Sequence, residues 1–517
     1  MNNLNREQKC IVYNVLGRML KNEKFNIFLS GGSGVGKSRA LHAVYQTICR
    51  KFNNKEDPVS NIVVTGAYTG KAAFNVGGLT LHTIFHLPTK QTGQITPLAS
   101  AILTKCKKNF AFTLLFIIDE ISMVGLRVFS WILKRVNQIT EVKESGKLNV
   151  SFLVVGDFAQ LKPVQDNWIF RGTGLSNPIA NILGNTNWRK FQLFELTEIM
   201  RQRDDKIFAE TLRTIGELGV EFCTPEQINL LNSRIIRKKE PLQEIPQDTI
   251  ILTHSNQSVR KFNEQRIEAS GGNVVINLAT NFATGPDCKK EIANAMVSRA
   301  SNLSRDQTGN LSQKLLLLIG RKYLITSNLS TSDGLAHGTV GVLKSIIFHK
   351  QARQNETLVK RVYLKFEDPL IGRQSRSKNI HTKEDRVRED WTLIECSDVT
   401  LNVHQKGDFQ IHRVQLPLVE CEAMTIHKSQ GQTYSSVAVN IGDNLTQSLM
   451  YVALSRATSL DGLYLFGAES ILKKKLTRNS LKALRDARTT TAPKIEMNRM
   501  RNESLMENLY PFMMGTI

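Results

Sequence analysis

Chemistry in this 517-residue chain begins at Gly31-Gly32-Ser33-Gly34-Val35-Gly36-Lys37-Ser38, which fits G-x-x-x-x-G-K-[ST]. Glycines let main-chain N–H groups turn inward around phosphate oxygens, and a helix that starts there adds partial positive charge. In such a loop Lys37 reaches the β- and γ-phosphates and the Ser38 hydroxyl holds Mg²⁺. Asp119 and Glu120 close the apolar run LLFIIDE at residues 114–120. Downstream of a phosphate loop, Asp119 is placed to hold Mg²⁺, directly or through water, and Glu120 to orient and deprotonate an attacking water. Gln160, after the apolar run that starts at Phe152, could sense a γ-phosphate. The bland alternatives are a chance pattern match and a solvated acidic strand end; the two motifs together weigh against both.

These groups need a scaffold. Phe25–Leu29 alternates bulky and small side chains as a short buried strand does, and Arg39–Lys51 continues with helical spacing, so the loop has the strand–loop–helix context it requires. Residues 114–120 read as a buried parallel strand, whose C-terminal end is where an α/β sheet binds ligands. Leu4–Leu20 is an amphipathic helix with Gln8 near its start. Asn61–Gly66 is a strand, followed by the small-residue loop Thr69–Ala73 and by Thr80–His86. His82, Phe85 and His86 could stack on bases there; a core helix with Phe85 inside suits the same residues equally well. Leu193–Gln202 reads as a strand running into a helix that carries Arg201.

Ile250–Thr253 and the helix Ser255–Ile267 open a second α/β series. From about residue 315 to 418, short strands alternate with Gly and Pro turns, the texture of a small inserted β-barrel, and Arg373–Asp390 within it reads as a mobile charged loop. The α/β texture returns at Ala423–Ile441 and Met450–Phe466. Beyond Leu472 the tail is basic (Lys473, Lys474, Lys475, Arg478, Lys482, Arg485, Arg488), which is usually a solvated face and less often a DNA-backbone contact.

With 68 basic against 46 acidic residues the chain carries +22, which suits a polyanionic partner. Seven scattered cysteines without a C-x-x-C pair fit reduced thiols in an intracellular protein and argue against a zinc module. No apolar run approaches the ~18 residues that span a bilayer, so no membrane role is expected.

Taken in order, the motifs resemble those of the superfamily-1B DNA helicases of the PIF (petite integration frequency) type, including the helicase region of Helitron transposons. The stretches that carry the resemblance are LNREQ (4–8), GGSGVGKS (31–38), TGKAAFNVGGLTLHTIF (69–85), IIDEISMV (117–124), GDFAQLKPV (156–164) and LTEIMRQ (196–202). SDGLAHGTVG (332–341), VQLPLVECEAMTIHKSQGQTY (414–434) and YVALSRATSLDGLYL (451–465) complete them, covering nearly the whole chain. Two stretches depart from the PIF pattern: ESGKLNV (144–150) stands where Phe-Gly-Gly is usual, and Leu161-Lys162-Pro163 where Leu-Pro-Pro is usual.

The resemblance implies an α/β fold: two RecA-like P-loop domains, with a small Src-homology-3-like β-barrel inserted in the second. It divides the chain into 1–202 (with a wedge at about 80–109), 203–314, the insert 315–418, 419–470 and the tail 471–517. ATP would lie between the domains, held by Gly31, Gly32, Ser33, Gly34, Val35, Gly36, Lys37 and Ser38, with Gln8 reading the adenine. Arg201 and Arg456 would reach the γ-phosphate. Single-stranded DNA would run past Thr69, Lys71, His82, Phe85, Thr425, His427 and Ser429. The activity implied is ATP- and Mg²⁺-dependent 5′-to-3′ unwinding of forked or tailed duplex in repair, recombination, telomere maintenance or transposition, in the nucleus. The alternatives are another P-loop ATPase or kinase, and a catalytically impaired, transposon-derived nucleic-acid-binding module. Intact Lys37, Asp119, Glu120 and Arg456 speak against the impaired module, and the lack of a His-x-His motif against a full Helitron protein.

Overall fold

The computed structural model describes residues 4–52, 62–88, 95–140, 150–172, 184–201, 205–237, 241–269, 271–285, 290–303, 305–349, 359–378, 387–401, 410–443, 445–472, 482 and 491–506. Most of the basic run after Leu472, most of the 144–150 departure and part of the 80–109 wedge lie outside them. The chain divides into two units, 1–241 with 429–517, and 242–428.

The first unit is built on six parallel strands: β1 (Asn26–Gly31), β2 (Val63–Ala67), β3 (Leu79–Thr80), β4 (Leu115–Asp119), β5 (Ser151–Gly156) and β6 (Gln192–Leu196). Their order is β3-β2-β4-β5-β1-β6, so the strand that feeds the glycine loop lies between β5 and β6. Successive side chains of a strand face opposite ways, and β1 serves two cores accordingly. Ile27 and Leu29 join one, with Ile11, Val12 and Val15 of α1 (Arg6–Leu20) and Ala40, Leu41 and Val44 of α2 (Lys37–Phe52). Phe28 joins the other, an aromatic cluster with Phe116, Phe129, Phe152 and Trp188. The start of α1 is fixed by a capping box: the Asn5 side chain accepts from the Gln8 amide and the Gln8 side chain from the Asn5 amide.

Three further helices line this unit: α3 (Gly70–Asn75), α4 (Leu81–Ile84) and α5 (Ser100–Phe110). Helix α6 (Leu126–Thr140) turns an apolar face (Val128, Phe129, Ile132, Val136) into the aromatic core. The C-terminal helix Ala492–Met506 also belongs to this unit. Met500 is buried in the aromatic core, Trp188 Nε1 donates to Glu496 (3.0 Å), and Arg501 forks Nε and Nη2 onto the two carboxylate oxygens of Glu195 of β6 (2.8 Å each). Later in the chain, Val437–Asn440 and Leu463–Phe466 pair in parallel, and the helix Gln447–Leu454 lies between them in sequence.

The second unit contains a parallel pair, Ile250–Thr253 with Ala423–Thr425, and the helix Asn256–Glu268. The remainder is antiparallel. Five strands run in the order Trp391–Glu395, Val359–Lys365, Val340–Phe348, Lys322–Ile325 and Leu418–Glu420; three others are Ser397–Leu401, Gln410–Gln415 and Thr280–Thr284. Arg413 is fully buried and donates to Asn281 Oδ1, Gln313 Oε1 and the carbonyls of Ala300 and Leu311, so its guanidinium is satisfied wholly by neutral acceptors.

Two sequence expectations need correcting. Arg373–Lys378, expected within a mobile loop, is helical because the Asp333 carboxylate accepts from the amides of Gln374 (2.8 Å) and Ser375 (2.9 Å) at its N-terminus. Arg201 lies in a turn, and the helix expected to carry it starts only at Lys206. No described helix is long and apolar enough to cross a membrane.

Because Met500 is buried in the same core as Trp188, Met500→Ala should destabilise the first unit by about 2–5 kcal/mol, the usual cost of such a cavity. Equilibrium unfolding followed by Trp fluorescence reads this; an unchanged midpoint would mean that the helix is not seated.

Candidate active site

The glycine loop is forced by close approach. A Cβ on Gly31 would come 2.7 Å from Val35 Cγ2 and 2.9 Å from the Leu196 carbonyl of β6. A Cβ on Gly36, already at φ +82°, would come 2.4 Å from Gln8 Nε2. Gln8 is buried, and Nε2 donates to the Val35 carbonyl (3.1 Å). That uses one of its two amide protons, and the capping box uses one carbonyl lone pair. The Lys37 ammonium donates to the carbonyls of Gly31 (2.7 Å) and Gly32 (2.8 Å), and Ser38 is exposed.

The loop also carries Arg201. The Gly34 carbonyl accepts from the amides of both Met200 and Arg201 (3.0 Å each), and Arg201 Nη1 then donates to Ser33 Oγ (3.2 Å) and the Ser455 carbonyl (2.9 Å). Burial, and then the charge of Arg456, pull the Arg201 guanidinium down to about 10. Arg456 is itself buried and lowered by burial, with Glu120, Tyr451, Tyr434 and Asp157 opposing the shift. It donates to the carbonyls of Val452 (2.8 Å), Gln432 (3.0 Å) and Ser429 (3.4 Å) and to Ser455 Oγ (3.0 Å). A guanidinium depressed by a neighbouring cation marks a site where an added anion relieves repulsion.

Across the sheet from β1, Asp119 ends β4 and is buried. Burial first, and then the neighbouring Glu120 charge, push its carboxyl up to about 7, against the Glu120 amide and Lys37, which lower it. Glu120 takes the left-handed conformation (φ 52°, ψ 45°); its Oε2 is buried without a partner, and its Oε1 lies 3.4 Å from where a Gly431 Cβ would stand. At the end of β5, Asp157 accepts from the Ala159 amide (2.9 Å), Gln160 Nε2 (3.3 Å) and the Tyr451 hydroxyl (3.0 Å), and Gln160 Oε1 is buried and unpaired.

A divalent cation fits this donor set. Asp119 is a buried carboxyl whose hold on its proton is strengthened by burial and by the neighbouring Glu120 charge, and Glu120 Oε2 lacks a donor. Among the described residues no group of three or more His, Cys, Asp or Glu could hold a metal alone, so Ser38 and Asp119 would share it with nucleotide phosphates.

The expected DNA-facing residues divide. Thr69 caps α3 through the Ala72 amide (3.3 Å), Lys71 lies over the Phe74 ring, and His82 meets Tyr68 edge-on, its basicity lowered by burial. The His427 ring is partly covered beside His254, and that partial burial, followed by the neighbour's charge, lowers its basicity. Phe85 is a correction: it is 1% exposed and packed on Phe116, so it is a core residue and no base stacks on it. Ser429 is likewise fully buried and Thr425 is 8% exposed, which removes the expected side-chain contacts there. The residues that sequence reasoning missed are Asp157 and Tyr451. Both stand inside quoted motifs, but nothing local signals that their side chains bond each other.

Loop, carboxylate pair and arginines define the class: a P-loop nucleotide-binding protein built on a parallel α/β sheet. Residues 3–218 match the model of the PIF1-like helicase family. The human ATP-dependent DNA helicase PIF1 is 29% identical over 454 residues, covering 87% of this chain but only 59% of the human protein. The crystal structure of the Pif1 helicase from Candida albicans superposes with a TM-score of 0.62 at 22% identity, covering 94% of this chain and all of that one. The Pif1 helicase from Bacteroides in complex with ADP-AlF3 and ssDNA gives 0.61 at 19% identity, covering 98% of each chain. At these identities the structural likeness is one of fold, the RecA-like α/β fold.

A folded-state value near 7 against an ordinary 3.8 means that native Asp119 keeps a proton the unfolded chain has released. Its contribution to stability is complete below about 3.8 and is lost as pH rises through about 7. In metal- and nucleotide-free protein, melting temperature should fall across that window, and the fall should be shallower in Asp119→Asn. Parallel pH profiles of the two proteins would refute this.

Proposed function

We propose that this chain is an ATP-dependent DNA helicase that moves 5′ to 3′ on single-stranded DNA and opens forked or tailed duplex. The observation that carries the hydrolysis step is the gathering at one glycine loop of Lys37, a half-buried Arg201 on Ser33, and a carboxylate pair with an unpaired Glu120 oxygen. In this reading Lys37, Arg201 and Arg456 stabilise charge on the transferred phosphoryl group, Glu120 takes the proton of the attacking water, and Gln160 senses the γ-phosphate. Ser38 and Asp119 hold Mg²⁺, which would neutralise phosphate oxygens. The amide groups of Gln8 left unused by the capping box and by Val35 serve the adenine.

The DNA half rests on the +22 charge, on the human relative's being a DNA helicase, and on the Bacteroides neighbour's having been crystallised with ssDNA. Thr69, Lys71, His82 and His427 are the side chains proposed to touch the strand, with the backbone around Thr425 and Ser429. Residues 1–202 are read as the first ATP-binding domain. The second comprises 203–314 and 419–470, interrupted by a β-barrel insert at 315–418 and followed by a tail at 471–517. The work is proposed to be DNA maintenance or mobilisation in the nucleus.

A duplex with a 5′ single-stranded tail should be opened in the presence of ATP and Mg²⁺, and one with only a 3′ tail should not. Preferential opening from the 3′ tail would overturn the directional claim. Glu120→Gln keeps the shape and a hydrogen-bonding oxygen but loses the base. It should bind ATP almost normally and turn over at least ~10²-fold more slowly; an equal loss of binding would make Glu120 a binding residue.

A further inference from the structure

Tyr451 is buried on the helix Gln447–Leu454, and its hydroxyl makes two hydrogen bonds. It accepts from the main-chain N–H of Ser33 in the glycine loop (2.7 Å) and donates to Asp157 Oδ2 (3.0 Å). The ring is held in place by shape. A Cβ at Gly216 would stand 2.9 Å from its carbons, and Gln447 of the same helix donates to the Gly216 carbonyl (2.8 Å). Asp157 is itself tied to Gln160 Nε2, so one chain of hydrogen bonds runs Gln160–Asp157–Tyr451–Ser33.

Both ends of that chain belong to the phosphate site. Ser33 takes Arg201 on its hydroxyl while Tyr451 takes its amide. Gln160 presents an unpaired buried carbonyl oxygen. The same helix end supplies the Ser455 carbonyl to Arg201, and Arg456 follows it. A phenylalanine would fill the same volume, so packing alone gives no reason for a hydroxyl here.

We infer that Tyr451 is a positioning residue for phosphoryl transfer: its hydroxyl locks the glycine loop at Ser33 to Asp157 and, through it, to Gln160. The inference rests on the proposed ATPase function and extends it. Loop and glutamine then hold one geometry, set before the transition state is reached, and little of the effect falls on ground-state binding.

The test is Tyr451→Phe in the full chain, assayed for DNA-stimulated ATP hydrolysis beside wild type, Gln160→Ala and the double variant. A hydrogen bond to a carboxylate is lost, so kcat should fall about tenfold to a hundredfold, with KM for ATP and the affinity for ADP within about threefold of wild type. The double variant should be little slower than Gln160→Ala alone, because the two groups act in one chain. Wild-type kcat in Tyr451→Phe, fully additive losses, or a fall in ADP affinity matching the fall in kcat would each overturn the inference. A wild-type protein that hydrolyses no ATP would instead defeat the functional reading on which it rests.

Discussion

Removing an arginine from water costs several kcal/mol unless every proton finds an acceptor, and the glycine loop of this protein has two such arginines near it. Arg201 Nη1 donates to Ser33 Oγ and the Ser455 carbonyl, and Arg456 donates to carbonyls of its own helix and of the 429–432 turn. Neither makes a hydrogen bond to a carboxylate among those described, although Glu120 and Asp157 favour the Arg456 charge from further off. The first unit is therefore arranged around positive charge held by neutral dipoles. Such a site keeps its donors fixed and gains most when an anion enters, which is the electrostatic condition for stabilising a transferred phosphoryl group. The opposite arrangement stands at the end of β4, where Asp119 and Glu120 crowd two acids together and one is driven toward neutrality.

Strand order turns these local features into one site. With β1 beside β5, and β5 beside β4, the loop, Asp157 and the carboxylate pair all emerge from the same ends of neighbouring parallel strands. β6, on the other side of β1, brings the chain to Met200 and Arg201, where the Gly34 carbonyl takes both amides. The C-terminal helix braces this edge through the Arg501–Glu195 fork on β6 and Met500 in the core beneath. Its amphipathic signal is too weak to read from spacing; the docking depends on Trp188, Glu195 and Glu496, which lie far apart in the chain.

What could be read in the sequence is what depends on neighbours in the chain. The glycine loop and the end of β4 each draw on residues within about eight positions, and the strands and helices around them follow from apolar period. Phe85 could not be decided that way, because an aromatic ring that stacks on a base and one that fills a core leave the same spacing. The helix at Arg373 was hidden for a related reason: its cap comes from Asp333, across a turn-rich segment, and its own residues are charged and poor in apolar pattern. Tyr451 and Asp157 lay in plain view inside motifs, yet their bond spans most of the chain. The family resemblance supplies the candidate arginines, and the two are held differently in the structure, Arg201 by Ser33 and Ser455, Arg456 by its own helix and the 429–432 turn.

Glu120 shows why such a site tolerates strain. Along a strand, adjacent side chains face opposite sides of the sheet, so Asp119 and Glu120 on a straight continuation of β4 would serve opposite faces. The left-handed backbone at Glu120 breaks the alternation just past the strand's last residue, Asp119, and starts the 3₁₀ turn Ile121–Met123. A non-glycine residue adopts that conformation only where its surroundings hold it there. Here Asp119 Oδ1 accepts from the Glu120 amide (2.9 Å), and the Glu120 carbonyl accepts from the Met123 amide (3.0 Å). The side chain is thereby turned toward Gly431, where a Cβ would stand 3.4 Å from Oε1. One strained residue thus frees two consecutive acids from the strict alternation of a regular strand end, as the proposed division of labour between a metal and a water requires.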